Sequence, residues 1–165
     1  MWVPTKIESR SKTLDLSASD QGRCTVHQLV CDDMVICNAS EHIDWDNDPV
    51  QFVLCEACLV EGCSPGGRVA IRRLNERVLV IPDFSAMTRG DWESNEYAPP
   101  RWMVQRGPLS FSSASWAVFR TMCLGAPSED MMNPISTTEL LRLYHFKHPA
   151  RSSLTTLHPL VRGGI

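Results

Sequence analysis

The sequence contains no run approaching the roughly 18 consecutive apolar residues that a membrane-spanning helix requires. Its first residues, Met1-Trp2-Val3-Pro4-Thr5-Lys6, lack the apolar core of a secretory signal. Positive charge is scarce: 16 lysines and arginines stand against 19 acidic residues, for a net charge of −3 and a pI near 5.9. That balance excludes a general nucleic-acid binder with a basic face, so neither a nucleic-acid nor a membrane partner is expected. No internal repeat and no low-complexity tract is present, which leaves no basis for a solenoid. With 43% hydrophobic and 21% charged residues the chain is also too apolar for intrinsic disorder.

What is present fits one folded unit. A length of 165 residues lies within the usual span of a domain. A chain of this size can bury roughly 70% of its unfolded surface and needs neither metal nor disulfide merely to fold. A single domain over 1–165 is expected, with a polar segment at about 1–20 and a tail at about 149–165 as its flexible ends.

The strand signals lie in the first half. Residues 24–37 are rich in Val, Ile and Leu and are interrupted by Asp32-Asp33, which reads as two short strands around an Asp turn. Val50 to Leu54 alternates, with Val50, Phe52 and Leu54 on one side and Gln51 and Val53 on the other, so a strand runs directly into the cysteines that follow. Ser64-Pro65-Gly66-Gly67 is a turn. Residues 68–73 and 77–81 flank Leu74-Asn75-Glu76 as a hairpin, closed at Pro82, which has no ladder donor. The arginines on its first strand suggest an exposed or edge face. Residues 83–111, with Gly90, Pro99, Pro100, Gly107 and Pro108, read as a long connection.

Helices follow. Ser112 to Leu124 places Trp116, Phe119 and Cys123 on one stripe and ends before Gly125. Ser136-Thr137-Thr138-Glu139 is a capping box that opens a second helix, through Leu140, Leu143 and Tyr144 to about 147. Strands first and helices last predict an α+β fold: an antiparallel sheet with a hairpin at about 68–82, then helices at about 112–124 and 136–147.

The seven cysteines are the first chemical feature. An odd number without an export signal argues for free thiols in a reducing compartment, so a cytoplasmic protein is expected. Cys24, Cys31, Cys37 and Cys123 have no ligand-like spacing and read as small buried hydrophobes. Cys55-x2-Cys58, with Cys63 following after four intervening residues that end in Gly62, has the spacing by which two thiolates reach one zinc ion. A closed tetrahedral site needs a fourth ligand. In a zinc knuckle it would fall at position 68, which is an arginine, and no second Cys-x2-Cys pair exists for a zinc ribbon. The remaining candidates are His42, or His145 and His148 near the end of the last helix. Two thiol chemistries compete with zinc. A thioredoxin-like pair needs a helix directly after its cysteines, for which Gly62 and the Pro-Gly-Gly turn leave little room. A thiol-dependent enzyme would use Cys63 or Cys58 with one of five histidines, none of which the spacing singles out.

Charge patterning is the second feature. Between Cys24 and Gly67 there is no lysine or arginine, but there are eight acidic residues: Asp32, Asp33, Glu41, Asp44, Asp46, Asp48, Glu56 and Glu61. Arg68, Arg72, Arg73 and Arg77 follow at once. On one face such a block attracts a basic protein partner; within one fold it pairs with the arginine hairpin instead. Glu41, Asp44, Asp46 and Asp48 are the candidate partner-binding residues. A calcium loop counted from Asp44 fails, because its sixth residue is Pro49 and its twelfth Cys55. Arg89-Gly90-Asp91 is a chance tripeptide, and the Pro-Gly-Gly turn lacks the lysine of a phosphate-binding loop. The expectation is a small non-enzymatic interaction protein with an acidic face and a Cys-rich zinc loop formed by Cys55, Cys58, Cys63 and His42. The alternative is the thiol-dependent enzyme.

Overall fold

A computed structural model describes residues 1–16, 22–85 and 98–146. The fold is α+β, with two antiparallel sheets followed by helices. The first sheet holds β1 (Ile7–Asp15), β2 (Arg23–Cys31) and β3 (Met34–Cys37), in that order. The second holds β4 (Val50–Gln51), β5 (Arg68–Leu74), β6 (Arg77–Ile81) and β7 (Leu109–Ser112), also in chain order. Among the elements that follow β6 are α1 (Arg101–Arg106), α2 (Ser113–Met122) and α3 (Thr137–His145).

The Asp turn between β2 and β3 is made of Asp32 and Asp33, with Cys31 facing Met34. Both aspartates have positive φ, +45° and +66°, the backbone that a two-residue hairpin requires and that short polar side chains tolerate. Asp32 also anchors the start of the chain. Its carboxylate accepts bonds from the Trp2 indole (2.8 Å), the Thr5 amide (2.9 Å) and hydroxyl (2.8 Å), and the Lys6 amide (2.9 Å). Partial burial pushes its pKa up, and these donors outweigh that effect and bring it down to about 2. Trp2 in turn exchanges backbone bonds with β7 and its lead-in, Trp2 N to Pro108 O and Ser110 N to Trp2 O, and so ties one sheet to the other.

The hairpin at 68–82 forms as expected, with Asn75 at φ +51° in its turn and β6 ending at Ile81 before Pro82. The two late helices also form. Ser112 caps α2 by accepting from the Ser115 amide, and Ser136 and Glu139 complete the reciprocal capping box of α3. Trp116, Phe119 and Cys123 are all buried, with the Trp116 and Phe119 rings stacked 4.3 Å apart. They lie in a core shared by both sheets, together with Leu29, Ile36, Phe52, Val69, Val80 and Phe111.

Four local expectations change. The first twenty residues contain β1, which pairs with β2 from Ile7↔Cys31 to Asp15↔Arg23; its alternation is mostly polar because one side faces solvent, so it lacks an apolar signature. Only Val50 and Gln51 of the 50–54 segment pair with β5, because the Phe52 and Val53 amides both turn to the Gly67 carbonyl. Gly67 is required there: its φ is +76°, and a Cβ would sit 2.8 Å from the Val53 carbonyl oxygen. The connection read at 83–111 holds α1 and β7, which Pro100 and Gly107 delimit. Finally, β5 lies between β4 and β6 rather than at an edge, and Arg72 is half-buried between Asp48 and Glu139. Arg89-Gly90-Asp91 and the tail from 149 lie outside the described residues.

Candidate metal centre

The cysteine loop connects β4 to β5 of the second sheet. Leu54 and Leu59 hold it to the first sheet by packing with Leu14, Leu16, Val26 and Ala39. Within the loop the Cys55 carbonyl accepts from the Leu59 amide (2.7 Å) and the Cys58 amide (3.4 Å), which folds Cys55-x2-Cys58 into a tight turn. Leu59 is driven to φ +57° by that turn, and its burial offsets the cost of a left-handed backbone. The chain then reverses again at Val60–Cys63, where the Cys63 amide bonds to the Val60 carbonyl (3.3 Å) and Gly62 takes φ +75°.

Two turns in succession bring the three sulfurs together. The Sγ atoms of Cys55, Cys58 and Cys63 all lie within 4.8 Å of one another. In a tetrahedral zinc–thiolate site, with Zn–S of about 2.3 Å, the sulfurs stand about 3.8 Å apart, so a shift of about 1 Å or less reaches metal-binding geometry. Cys55 and Cys58 are half-buried and Cys63 is exposed. The Ala57 amide and the thiols of Cys58 and Cys63 hold the Cys55 thiol below its ordinary range. Hydrogen bonds and charge interactions with the thiols of Cys58 and Cys55 push Cys63 up to about 11. Three thiols crowded this closely favour a cation that replaces their protons, and soft sulfur donors select a soft or borderline ion.

The carboxylates beside the loop are already engaged. Glu56 is paired with Lys12 (2.7 Å), and Glu61 with Arg68 (2.8 Å) and with the Asn47 amide (2.8 Å). The metal-competent group among the described residues therefore consists of three cysteines. His42 closes a one-turn 3-10 helix at Ser40–His42 and is not a member of that group. His145 ends α3 and is likewise not a member, while His148 lies outside the described residues. No helix follows Cys58 within the loop, which removes the context of a thioredoxin-like pair. No described histidine joins the clustered sulfurs as a general base.

The acidic residues are dispersed among local partners. Glu41 accepts from the His27 amide (2.9 and 3.1 Å) and faces its ring nitrogen (3.2 Å). Asp48 takes both its oxygens to Arg72 (2.9 Å). Asp44 accepts from the Asp46 amide (3.1 Å) within the turn, and both these side chains are on exposed residues.

Two buried amides that the sequence reading passes over border the loop. Asn38, just after β3, donates to the Leu54 carbonyl and accepts from the Leu54 amide, both at 2.9 Å. Gln51, in β4, accepts from the Gly62 amide (2.8 Å) and donates to the carbonyls of Ser64 (3.1 Å) and Gly66 (2.9 Å). A glutamine inside Val50-Gln51-Phe52-Val53-Leu54 is the one signal that could have marked this arrangement. Beside the loop an open cleft of about 870 Å³ is lined by Lys12, Val35, Leu54, Glu56, Pro100 and Trp102.

Comparison of the chain with protein-family models, with curated proteins and with solved structures found no match. Among the described residues no helix is long and apolar enough to cross a membrane.

Proposed function

We propose that the loop of Cys55, Cys58 and Cys63 binds one zinc ion, and that the protein is a non-enzymatic binding protein in which this metal fastens the β4–β5 connection to both sheets. The observation that carries the reading is the convergence of three thiols within 4.8 Å on a loop closed by its own backbone bonds. Zinc suits it because zinc accepts sulfur donors without imposing a geometry of its own and has no redox chemistry to supply. The fourth position belongs to a ligand outside the cluster, with His42 and His148 as the protein candidates and water as the other.

Metal analysis of the untagged protein tests this directly. About one zinc per chain is expected, with three thiols becoming titratable when a chelator removes it. Protein that retains no zinc after exposure to the ion, with all its thiols titrating alike once unfolded, overturns the reading.

The partner surface in this proposal is the acidic turn from Glu41 to Asp48. Glu41 and Asp48 are engaged within the fold, so Asp44 and Asp46 are the residues whose charge faces outward. Binding of an arginine-rich peptide should weaken with added salt and should fall severalfold on combining Asp44→Asn with Asp46→Asn. Binding and salt dependence that survive the double change remove the turn from the proposal.

A further inference from the structure

We infer that Asn38 and Gln51 are positioning residues for the metal loop, two buried amides that clamp its ends and present the sulfurs already assembled; this rests on the zinc reading above. The clamp at the start is Asn38. Its side chain forms a two-bond ring with the backbone of Leu54, the residue before Cys55. The clamp at the finish is Gln51, whose three bonds go to Gly62, Ser64 and Gly66, on either side of Cys63. Asn38 is 5% exposed and Gln51 2%, so both amide side chains are withdrawn from water.

The chemistry of these bonds explains why an amide stands at each place. The loop backbone turns inward at its ends and leaves both amide donors and carbonyl acceptors without a strand partner. A buried, unpaired backbone group costs about 1–3 kcal/mol. An Asn or Gln side chain carries donor and acceptor together and can satisfy both kinds at once. The amide groups stand in β4 and on the residue that directly follows β3, strands of different sheets, so each ties its end of the loop to a separate part of the fold. Gln51 in addition holds the segment that carries Cys63, the exposed sulfur that arrives last in sequence and has the least packing around it. Without the clamp, Cys63 must be ordered at the moment of metal binding, and affinity falls by that ordering cost.

The prediction concerns zinc affinity and the geometry around the metal, read separately from folding. Wild type, Gln51→Met and Asn38→Leu are each titrated with zinc against a chelator, and with cobalt(II) to record the sulfur-to-cobalt charge-transfer band. Gln51→Met, close to glutamine in shape but without its donor and acceptor, should weaken zinc about 10- to 100-fold and reduce the cobalt band, the range found when an outer-shell partner is removed. Asn38→Leu should weaken it in the same direction. Circular dichroism of the metal-free proteins reports folding. If Gln51→Met does not fold, Gln51→Glu takes its place, since it keeps the acceptor for Gly62 but loses the amide donors to Ser64 and Gly66.

The outcomes separate. Wild type that binds zinc while a folded Gln51 variant binds it equally tightly, with an unchanged cobalt band, overturns the clamp and leaves the zinc reading standing. Wild type that binds neither ion overturns both. Weaker binding in the folded variants, with all three cysteines intact, supports the clamp.

Discussion

The protein carries two trios of cysteine that differ in burial and in surroundings. Cys31, Cys37 and Cys123 lie in the main core, in contact with aromatic and aliphatic side chains from both sheets. Burial pushes the thiols of Cys31 and Cys123 up to about 12 and raises that of Cys37 further in the same direction. Cys55, Cys58 and Cys63 lie on a loop, with their sulfurs gathered and the Cys55 thiol moved the other way by an amide and its neighbouring thiols. The core trio packs as three small hydrophobes, and the loop trio forms a group that could hold a metal ion. The difference teaches that thiol number says little about chemistry. Backbone donors, solvent access and mutual distance decide it.

The largest effect that separates the trios is loss of metal. Cys55→Ser should weaken zinc binding by more than about 100-fold, because one of three thiolate ligands is gone. Cys123→Ala should leave zinc affinity within about twofold, since distant sites act independently. It should instead lower stability by about 1 kcal/mol through lost packing beside Phe119. Chelator competition and thermal unfolding of the same samples check both halves, and a Cys123→Ala protein with impaired zinc binding breaks the separation.

A smaller effect appears in alkali. The core thiols ionise above about pH 9 when the chain is unfolded but stay protonated to about pH 12 in Cys31 and Cys123 when it is folded. Between those values the unfolded state binds fewer protons, so stability falls as pH rises, by about 1 kcal/mol per pH unit for each such thiol. Below pH 9 both states hold the proton and the contribution to pH dependence vanishes. Denaturant unfolding from pH 8 upward should show this decline, and Cys123→Ala should make it shallower. An identical slope in wild type and Cys123→Ala would mean that the core thiol is not desolvated as the structure has it.

Features that depend on neighbours in the chain were legible before the structure. The Asp32-Asp33 turn, the hairpin around Asn75-Glu76, the Ser136–Glu139 capping box and the Trp116-Phe119-Cys123 stripe all appear where the pattern places them. β1 was not legible, because Ile7–Asp15 has few apolar residues and owes its strand to pairing with β2. Nor was α1, since Arg101–Arg106 is too short for a periodicity to stand out. For the site, spacing singled out Cys55, Cys58 and Cys63, and the structure gathers those three. It could not identify Asn38 and Gln51 as their supports, because each meets the loop 11 to 16 residues away in sequence.

The sequence by itself determined the turns, the helix caps, the α+β order of elements and the pair of cysteines that share one turn. Each of these is decided within a few residues, by backbone dihedral preference or by a side chain reaching its own chain. Only the tertiary structure decided how closely the three loop sulfurs converge, that Asn38 and Gln51 brace their loop, and that the acidic block is largely tied down. Arg72 shows the reason: it pairs Asp48 with Glu139, a residue 67 positions away, and no local pattern encodes a meeting that depends on how the second sheet and a late helix pack.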